Sequence, residues 1–528
     1  MLSDPVPNTV VDDAPLAVID VGTTSIRMAV AQVQPDGSLQ ILDTLQQSVM
    51  LGNDAFRKGV IALDTAEECV AVLRSFTQVL REMAVPLDAE HVRVIATSAV
   101  REASNRDSFL DRIYIATGLD VEVADQSEVS RFTYLSVQPF FELSPFADDV
   151  LTLMVEVGGG STEVLGVHDG RVLFSQGHRL GSLRMWQIGE GHGASVARVR
   201  DILENQIGRM IEQIHVGIPD HRLTEILAIG GDARFAAEHL ETGLRSKGVT
   251  TVPLDLLIPF VDDVLSKSAD ELVRRYRLTY PEAETLGPAL LTYVRLAQAF
   301  ERPHLYVTTV SMRDGVLCDI AGQTAWAASF RKQIISSALS LGAKYQVDHP
   351  HAAHVAALSM MLFRRLQAEH GLGPRYMLIL HIAALLHEIG LFVSNRSHHK
   401  HSMYLILNSD IFGMGTREKE LTALLARYHR RSTPLPAHEL YSTLDRDRRI
   451  VVAKLAAILR VADALDRSHA QRVRNIDMSI EERQFIISVP KIRDLTLEQM
   501  ALDQKSDLFE QVYGMHVILR RQSEKQAL

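Results

Sequence analysis

Two stretches of this chain share one plan, and that repeat constrains the fold more than any other feature. LAVIDVGTTSIRMAVAQVQPDG begins at Leu16, and TLMVEVGGGSTEVLGVHDG begins at Thr152. Each reads as an apolar strand ending in a carboxylate, a glycine turn with hydroxyl residues, a second strand and an Asp-Gly hairpin turn. Asp20 and Glu156 hold the same place 136 residues apart, as do Gly22 and Gly158. Two similar α/β halves facing one another would bring both glycine turns to a common cleft.

Around the repeat, the first 325 residues alternate strand and helix signals. Strands are expected at Leu16–Asp20, Ile26–Val33 and His91–Ala96, with helices over about 61–83 and from about 105. From Trp326 to about 480 the pattern turns helical and rich in Ala, Leu and Met, and 12 of the 21 histidines fall there. The end regains α+β character, with strands at Gln484–Val489 and Met515–Leu519 around a helical Leu495–Phe509. Four domains are expected, over 1–138, 139–325, 326–480 and 481–528.

Composition sets the class. A net charge of −10 over 528 residues argues against a dedicated nucleic-acid coat, though not against a local basic pocket. Cys69 and Cys318 are too few for a disulfide framework, and both sit among apolar residues. The acidic, proline-containing start does not resemble a signal peptide. The most apolar run, around Met377–Leu386, is interrupted by His381. These features lead to the expectation of a soluble, cytoplasmic protein with no membrane or nucleic-acid partner.

The turn Asp20-Val-Gly-Thr-Thr-Ser25 points successive backbone N–H groups and hydroxyls into one small concavity, which suits phosphate oxygens. Gly158-Gly159-Gly160-Ser161-Thr162 supplies a second such nest. Asp20 and Glu156 are then placed to hold a hydrated Mg²⁺ or Mn²⁺ against the phosphates. Neither turn is a Walker loop, because no Gly-Lys-Ser/Thr follows, and neither opens a helix as a dinucleotide fingerprint would.

These segments resemble the exopolyphosphatase/guanosine pentaphosphate phosphatase family. VIDVGTTSIRMAVAQV and MVEVGGGSTEVLGV are similar to the family's two phosphate loops, and VIATSAVREASNRDSFL to the segment carrying its Arg and Asn, here Arg101 and Asn105. AALLHEIGLFVSNRSHHKHSMYLILNSD, ARYHRR and LRVADALDRS resemble its helical domain, and KSDLFEQVYGMHVIL its final small domain. The resemblance implies duplicated actin/Hsp70/sugar-kinase-like lobes of the ribonuclease H type. An all-α, HD-like domain and a small α+β domain would follow them.

It further implies hydrolysis of the terminal phosphate of inorganic polyphosphate, or of the 5′ phosphate of guanosine pentaphosphate, by a homodimer. The alternatives are a non-catalytic phosphate or nucleotide sensor and a phosphohydrolase acting through the HD-like domain. Catalysis would fall to Glu128, Glu156 and Arg101. Phosphate contacts would come from Asp20, Gly22, Thr23, Thr24, Asn105, Gly158, Gly159, Gly160, Ser161, Thr162, Gly230 and Arg313.

One departure stands out, because the family's catalytic glutamate falls on Val129 in Gln126-Ser-Glu-Val-Ser-Arg131. Valine can neither orient a water nor accept its proton. In the helical domain the HD pattern falls on His354, His387, Glu388 and Asp463, a mixed imidazole and carboxylate set suited to a divalent metal. Basic clusters at Arg364–Arg365, Arg430–Arg431 and Arg446–Arg449 are candidate phosphate contacts.

Overall fold

The two repeated segments fold as hairpins in one register. In the computed structural model, strand β1 (Leu16–Val21) pairs antiparallel with β2 (Ser25–Val33), setting Asp20 opposite Arg27. The structure describes residues 14–521 apart from 37, 144, 147–148, 191–195, 219–223, 241–244, 247, 322–327, 431, 491 and 493. With β3 (Leu39–Ser48), β4 (Val92–Ala96) and β5 (Val121–Val123), the first sheet has the order β3-β2-β1-β4-β5. Every residue of β1 is buried, as expected of a central strand covered on both faces.

The second sheet repeats this plan. β6 (Leu151–Val157), β7 (Thr162–His168), β8 (Arg171–His178), β9 (Thr224–Ile229), β10 (Arg245–Ser246), β11 (Val249–Pro253) and β12 (His304–Thr308) assemble as β10-β11-β12-β9-β6-β7-β8. From its far end, β8-β7-β6-β9-β12 matches the first sheet strand for strand. Both have two antiparallel pairings, then two parallel ones. Glu156 lies opposite Glu163 as Asp20 lies opposite Arg27. Even the register irregularity recurs, between Val30 and Ala31 in one copy and Gly166 and Val167 in the other.

Two helices bind the halves together. Helix Gln126–Val137 packs against helix Met312–Ile320, and Val129, Phe132, Met312 and Val316 share one apolar cluster with Val18 and Ile95 of the first sheet. The backbones touch: a Cβ built on Gly315 would lie 1.9 Å from the Phe132 carbonyl oxygen. At the far end of the second helix, Asp319 receives Arg131 through two hydrogen bonds of 3.0 and 2.9 Å and Arg93 through one of 2.7 Å. Arg131 is therefore engaged in holding helices together.

The described contacts divide the chain into two compact units, Met1–Ala327 and Ala328–Leu528. The second is a helical body with a sheet of β13 (Asp477–Glu481), β14 (Gln484–Val489) and β15 (His516–Arg521) in that order. Pro374–Phe392 is long and apolar enough to cross a membrane, but 61% of that window is buried inside the protein. Its Leu380, Ile382 and Leu386 are fully buried, which makes it a core helix of this unit. The expected helix Leu495–Phe509 is two helices, Thr496–Lys505 and Asp507–Tyr513, both packed on helix Arg446–Leu465. Arg460 on that helix is fully buried and donates to the Lys505 carbonyl at 2.7 Å and to Asp507.

Because Gly315 lets two helix backbones touch, Gly315→Ala is expected to destabilise the protein by about 3 kcal/mol, the upper range for overpacking. Chemical denaturation would measure this as a lower midpoint with an unchanged slope.

Candidate functional site

The duplicated turns close on themselves in the same way. The Gly22 N–H donates to the Ser25 carbonyl at 3.0 Å, and the Gly158 N–H to the Ser161 carbonyl at 2.9 Å. The two turns also touch each other, since a Cβ on Gly159 would lie 3.0 Å from Thr23 Cβ. On Gly160 it would lie 2.3 Å from Ser98 Oγ and 2.6 Å from the Phe56 ring. Any larger side chain at these two glycines would push the halves apart.

Between the halves opens a cleft of about 410 Å³. Three nine-residue helices begin at its wall: Ser182–Glu190, Gly231–His239 and Met312–Ile320. At Ser182–Glu190 the first N–H groups donate to the Gly158 and Gly159 carbonyls at 2.9 and 3.0 Å, whereas the first N–H groups of the other two have no partner within the helix and carry the positive end of its dipole, which favours anions. Gly230, just before the second of them, has φ +129°, a conformation that glycine alone adopts without strain. The buried Tyr293 hydroxyl donates to the Ile229 carbonyl at 2.6 Å and accepts the Val157 N–H at 3.1 Å. It thereby fixes the ends of β9 and β6, which lead into Gly230 and Gly158.

Four arginines reach the cleft: Arg27, Arg101, Arg234 and Arg313. Three are oriented by other bonds, Arg27 to Gln46 Oε1 at 3.0 Å, Arg101 to the Ala124 carbonyl at 2.7 Å and Arg234 to the Val310 carbonyl at 3.1 Å. Arg313 lies 3.6 Å from Asp20. Burial pushes the Asp20 carboxyl above the usual carboxylate range, against the pull of Arg313 and Arg27. Burial also raises Glu156, aided by repulsion from Asp20 and opposed by the 2.9 Å hydrogen bond from Thr133. Asp232 is pushed up to about 6 by burial, with Arg27 and Arg234 pulling it back. Two such carboxylates beside hydroxyls form a hard-oxygen donor set that fits a divalent cation of the Mg²⁺ type.

Asp20, Gly22, Thr23, Thr24, Arg101, Glu156, Gly158, Gly159, Gly160, Ser161, Gly230 and Arg313 all line this cleft, as does Val129. Three expected residues do not. Glu128 closes a capping box: its Oε2 accepts the Asp125 N–H at 2.9 Å, and Asp125 Oδ1 accepts the Glu128 N–H at 2.9 Å. Asn105 spends its amide on the backbone of Ile61, at 2.9 and 2.8 Å. Thr162 is buried and donates its hydroxyl to the Leu180 carbonyl. The residues missed are Arg27, Arg234 and Asp232. Arg27 was readable, since its register position opposite Asp20 puts both on one face of the hairpin.

In the helical unit, His387, Glu388 and Asp463 come together, but His354 does not join them. His351 takes its place, with Nε2 3.9 Å from Glu388 and 3.8 Å from Asp463. The cluster meets the first turn of helix His349–Arg365, whereas His354, one turn on, lies against the backbone of Val473. Of the basic clusters, Arg430 lines a cavity at this site, and Arg431 lies outside the described residues.

Comparison with known proteins finds relatives over most of the chain. The guanosine-5'-triphosphate,3'-diphosphate pyrophosphatase of Photobacterium profundum is 25% identical over 500 residues, covering 90% of this chain and 91% of its own. The protein of the same name from Aeromonas salmonicida is 25% identical over 492 residues, 90% of this chain and 92% of its own. The crystal structure of an exopolyphosphatase from Cytophaga hutchinsonii shares the fold, with a TM-score of 0.53 at 23% identity, over 59% of this chain and 99% of that one. Residues 13–324 match the family model of the Ppx/GppA phosphatases, and residues 335–511 match domain III of the same phosphatases. Across both units, therefore, this chain belongs to the Ppx/GppA phosphatase family.

Proposed function

We propose that the chain hydrolyses terminal phosphoanhydrides in the cleft between its two sheets, acting on inorganic polyphosphate or on the 5′ phosphate of guanosine pentaphosphate. The observation that carries this is the contact of the two glycine turns, Gly159 on Thr23, between two carboxylates of matched position. The names of the pyrophosphatase relatives support the nucleotide substrate. In this reading the sheets belong to actin-like lobes at 1–138 and 139–325, and an HD-like domain (326–480) and a small domain (481–528) follow. The protein works as a cytoplasmic homodimer.

The turn N–H groups and the N-termini of helices Gly231–His239 and Met312–Ile320 cradle the phosphate oxygens, and Arg101, Arg27 and Arg313 neutralise the phosphoryl group in flight. Asp20 and Glu156 hold Mg²⁺ or Mn²⁺, which supplies charge neutralisation to the phosphates. Glu128 is spent on its helix cap, so water orientation falls to Glu156 and Asp232. Asp232, with its pKa near 6, is ionised at neutral pH yet still basic enough to take a proton. Val129, at 8% exposure on the cleft wall, favours a second reading of the lobes as a binding sensor with little turnover.

Phosphate release from long-chain polyphosphate and from guanosine pentaphosphate with Mg²⁺ separates these readings. Val129→Glu is expected to raise the rate by about 10-fold or more, since a positioned base contributes about 10²–10⁴. KM should change far less than kcat, because the new carboxylate acts on water. If neither wild type nor variant binds polyphosphate, the cleft assignment fails.

A pH test addresses the metal. Asp20 and Glu156 keep their protons to higher pH folded than unfolded, so their contribution to stability is full below about pH 4 and is lost as pH rises through their folded values. Without metal, Asp20→Asn should show a smaller fall in Tm than wild type between about pH 4 and about pH 7. Mg²⁺ should stabilise wild type more at the higher pH, and the variant hardly at all. Differential scanning fluorimetry reads both, and equal Mg²⁺ shifts in the two proteins would contradict the assignment.

A further inference from the structure

A second constellation lies in the unit Ala328–Leu528 and is independent of the reading of the cleft. The donor atoms of His351, His387 and Asp463 all lie within 4.8 Å of one another, and so do those of Glu388, His398 and His429. Glu388 also stands 3.9 Å from His351 Nε2, so this one carboxylate borders both groups.

The hydrogen bonding of the rings shows what they await. His351 Nδ1 is held by Asp466 at 2.8 Å. His387 Nδ1 is held by the Ala384 carbonyl at 2.7 Å, His429 Nδ1 by that of Ala426 at 2.5 Å and His398 Nδ1 by that of Asn395 at 3.3 Å. A carbonyl only accepts, so the last three rings carry their proton on Nδ1 and offer a lone pair at Nε2. Holding one ring nitrogen by a carbonyl or carboxylate while the other faces a shared point is the usual support of a metal-ligating histidine. His351 Nε2, His387 Nε2 and Glu388 Oε2 are buried with no hydrogen-bond partner, and the two histidines are 1% and 0% exposed. Meanwhile His398 Nε2 and His429 Nε2 face each other at 3.2 Å. Two lone pairs at that separation repel unless a cation joins them, and a tetrahedral ion bound to two imidazoles sets their nitrogens about 3.3 Å apart.

A cavity of about 350 Å³ opens onto Glu388, His398, His429 and Asp463, and its wall also carries Arg430, Arg467 and Lys505. Lys505 pairs with Asp463 and brings a positive charge to the metal-facing side. Three cations around an imidazole–carboxylate centre suit a phosphate group bridging to metal.

We propose that these residues form a centre for two divalent transition-metal ions, one on His351, His387 and Asp463 and one on His398 and His429, with Glu388 between them. Its open side binds a phosphate group against Arg430, Arg467 and Lys505. Imidazole-rich ligation favours Fe²⁺, Co²⁺ or Zn²⁺ over Mg²⁺, which distinguishes this centre from the all-oxygen cleft.

The test loads the full-length protein with Co²⁺ and counts bound metal by elemental analysis, using visible absorption to report nitrogen coordination. About two ions per chain are expected, falling to about one in His351→Gln and in His429→Gln. Asp20→Asn, which alters only the cleft, should keep both. Inorganic phosphate should perturb the Co²⁺ spectrum, at a concentration raised about 10-fold or more in Arg467→Ala. Anomalous scattering from Co²⁺-loaded wild-type crystals locates the ions even if a histidine variant fails to fold. No uptake, uptake unchanged in both histidine variants, or uptake lost in Asp20→Asn would overturn the centre. Uptake of a single ion by wild type, abolished in both histidine variants, would overturn the two-ion arrangement. A spectrum indifferent to phosphate would overturn the ligand.

Discussion

The architecture of the first unit depends on the glycine turn of one half laying its bare backbone directly on side chains of the other. Gly159 meets Thr23, Gly160 meets Ser98 and Phe56, and a Cβ on Gly181 would lie 2.4 Å from the carbonyl carbon of Gly159. This packing brings Asp20 and Glu156 into one cleft, where burial raises both their pKa values, and in the proposed reading it makes one anion site from two hairpins. Burying two carboxylates side by side is unfavourable without a counter-charge. Arg313 meets part of that need, and a divalent cation would meet the rest.

Much of this could be read from residues. The strands β1, β2, β6 and β7 announce themselves because apolar runs end at a carboxylate and a glycine turn, and the offset of 136 residues holds through to the bulge. Strand β3 was silent because it is mostly exposed and polar, with no buried face to impose alternation. The cap on Glu128 was legible in the Asp-x-x-Glu spacing of Asp125–Glu128, but resemblance to a catalytic segment drew the reading away from it. His351 and His354 differ only in helix phase, which spacing leaves open until the neighbouring helices are known. Likewise, nothing local joins Arg93 and Arg131 to Asp319, 226 and 188 residues away.

In the proposed readings the two units would handle anions by different chemistry. The cleft offers backbone N–H groups, guanidinium groups and oxygen donors, which would bind phosphate and hard cations loosely enough to turn over. The helical unit gathers imidazoles whose Nδ1 atoms are fixed by carbonyls and a carboxylate, an arrangement rigid enough to discriminate among metals. The small terminal sheet belongs to that second design, since Lys505 and Arg460 tie its helices to the helix that carries Asp463.

Helix Met312–Ile320 has Arg313 at one end, in the cleft, and Asp319 at the other, clamped by two guanidinium groups from the opposite half. A nine-residue helix is a stiff rod about 13 Å long. Mechanically it is a rod whose one end lines the cleft and whose other end is bolted to the first sheet through Arg93 and to its neighbouring helix through Arg131. Sliding of one half past the other would break the bolts. A phosphate drawn against Arg313 would therefore pull on a rod anchored in the opposite half, and its load would pass to the first sheet through Asp319.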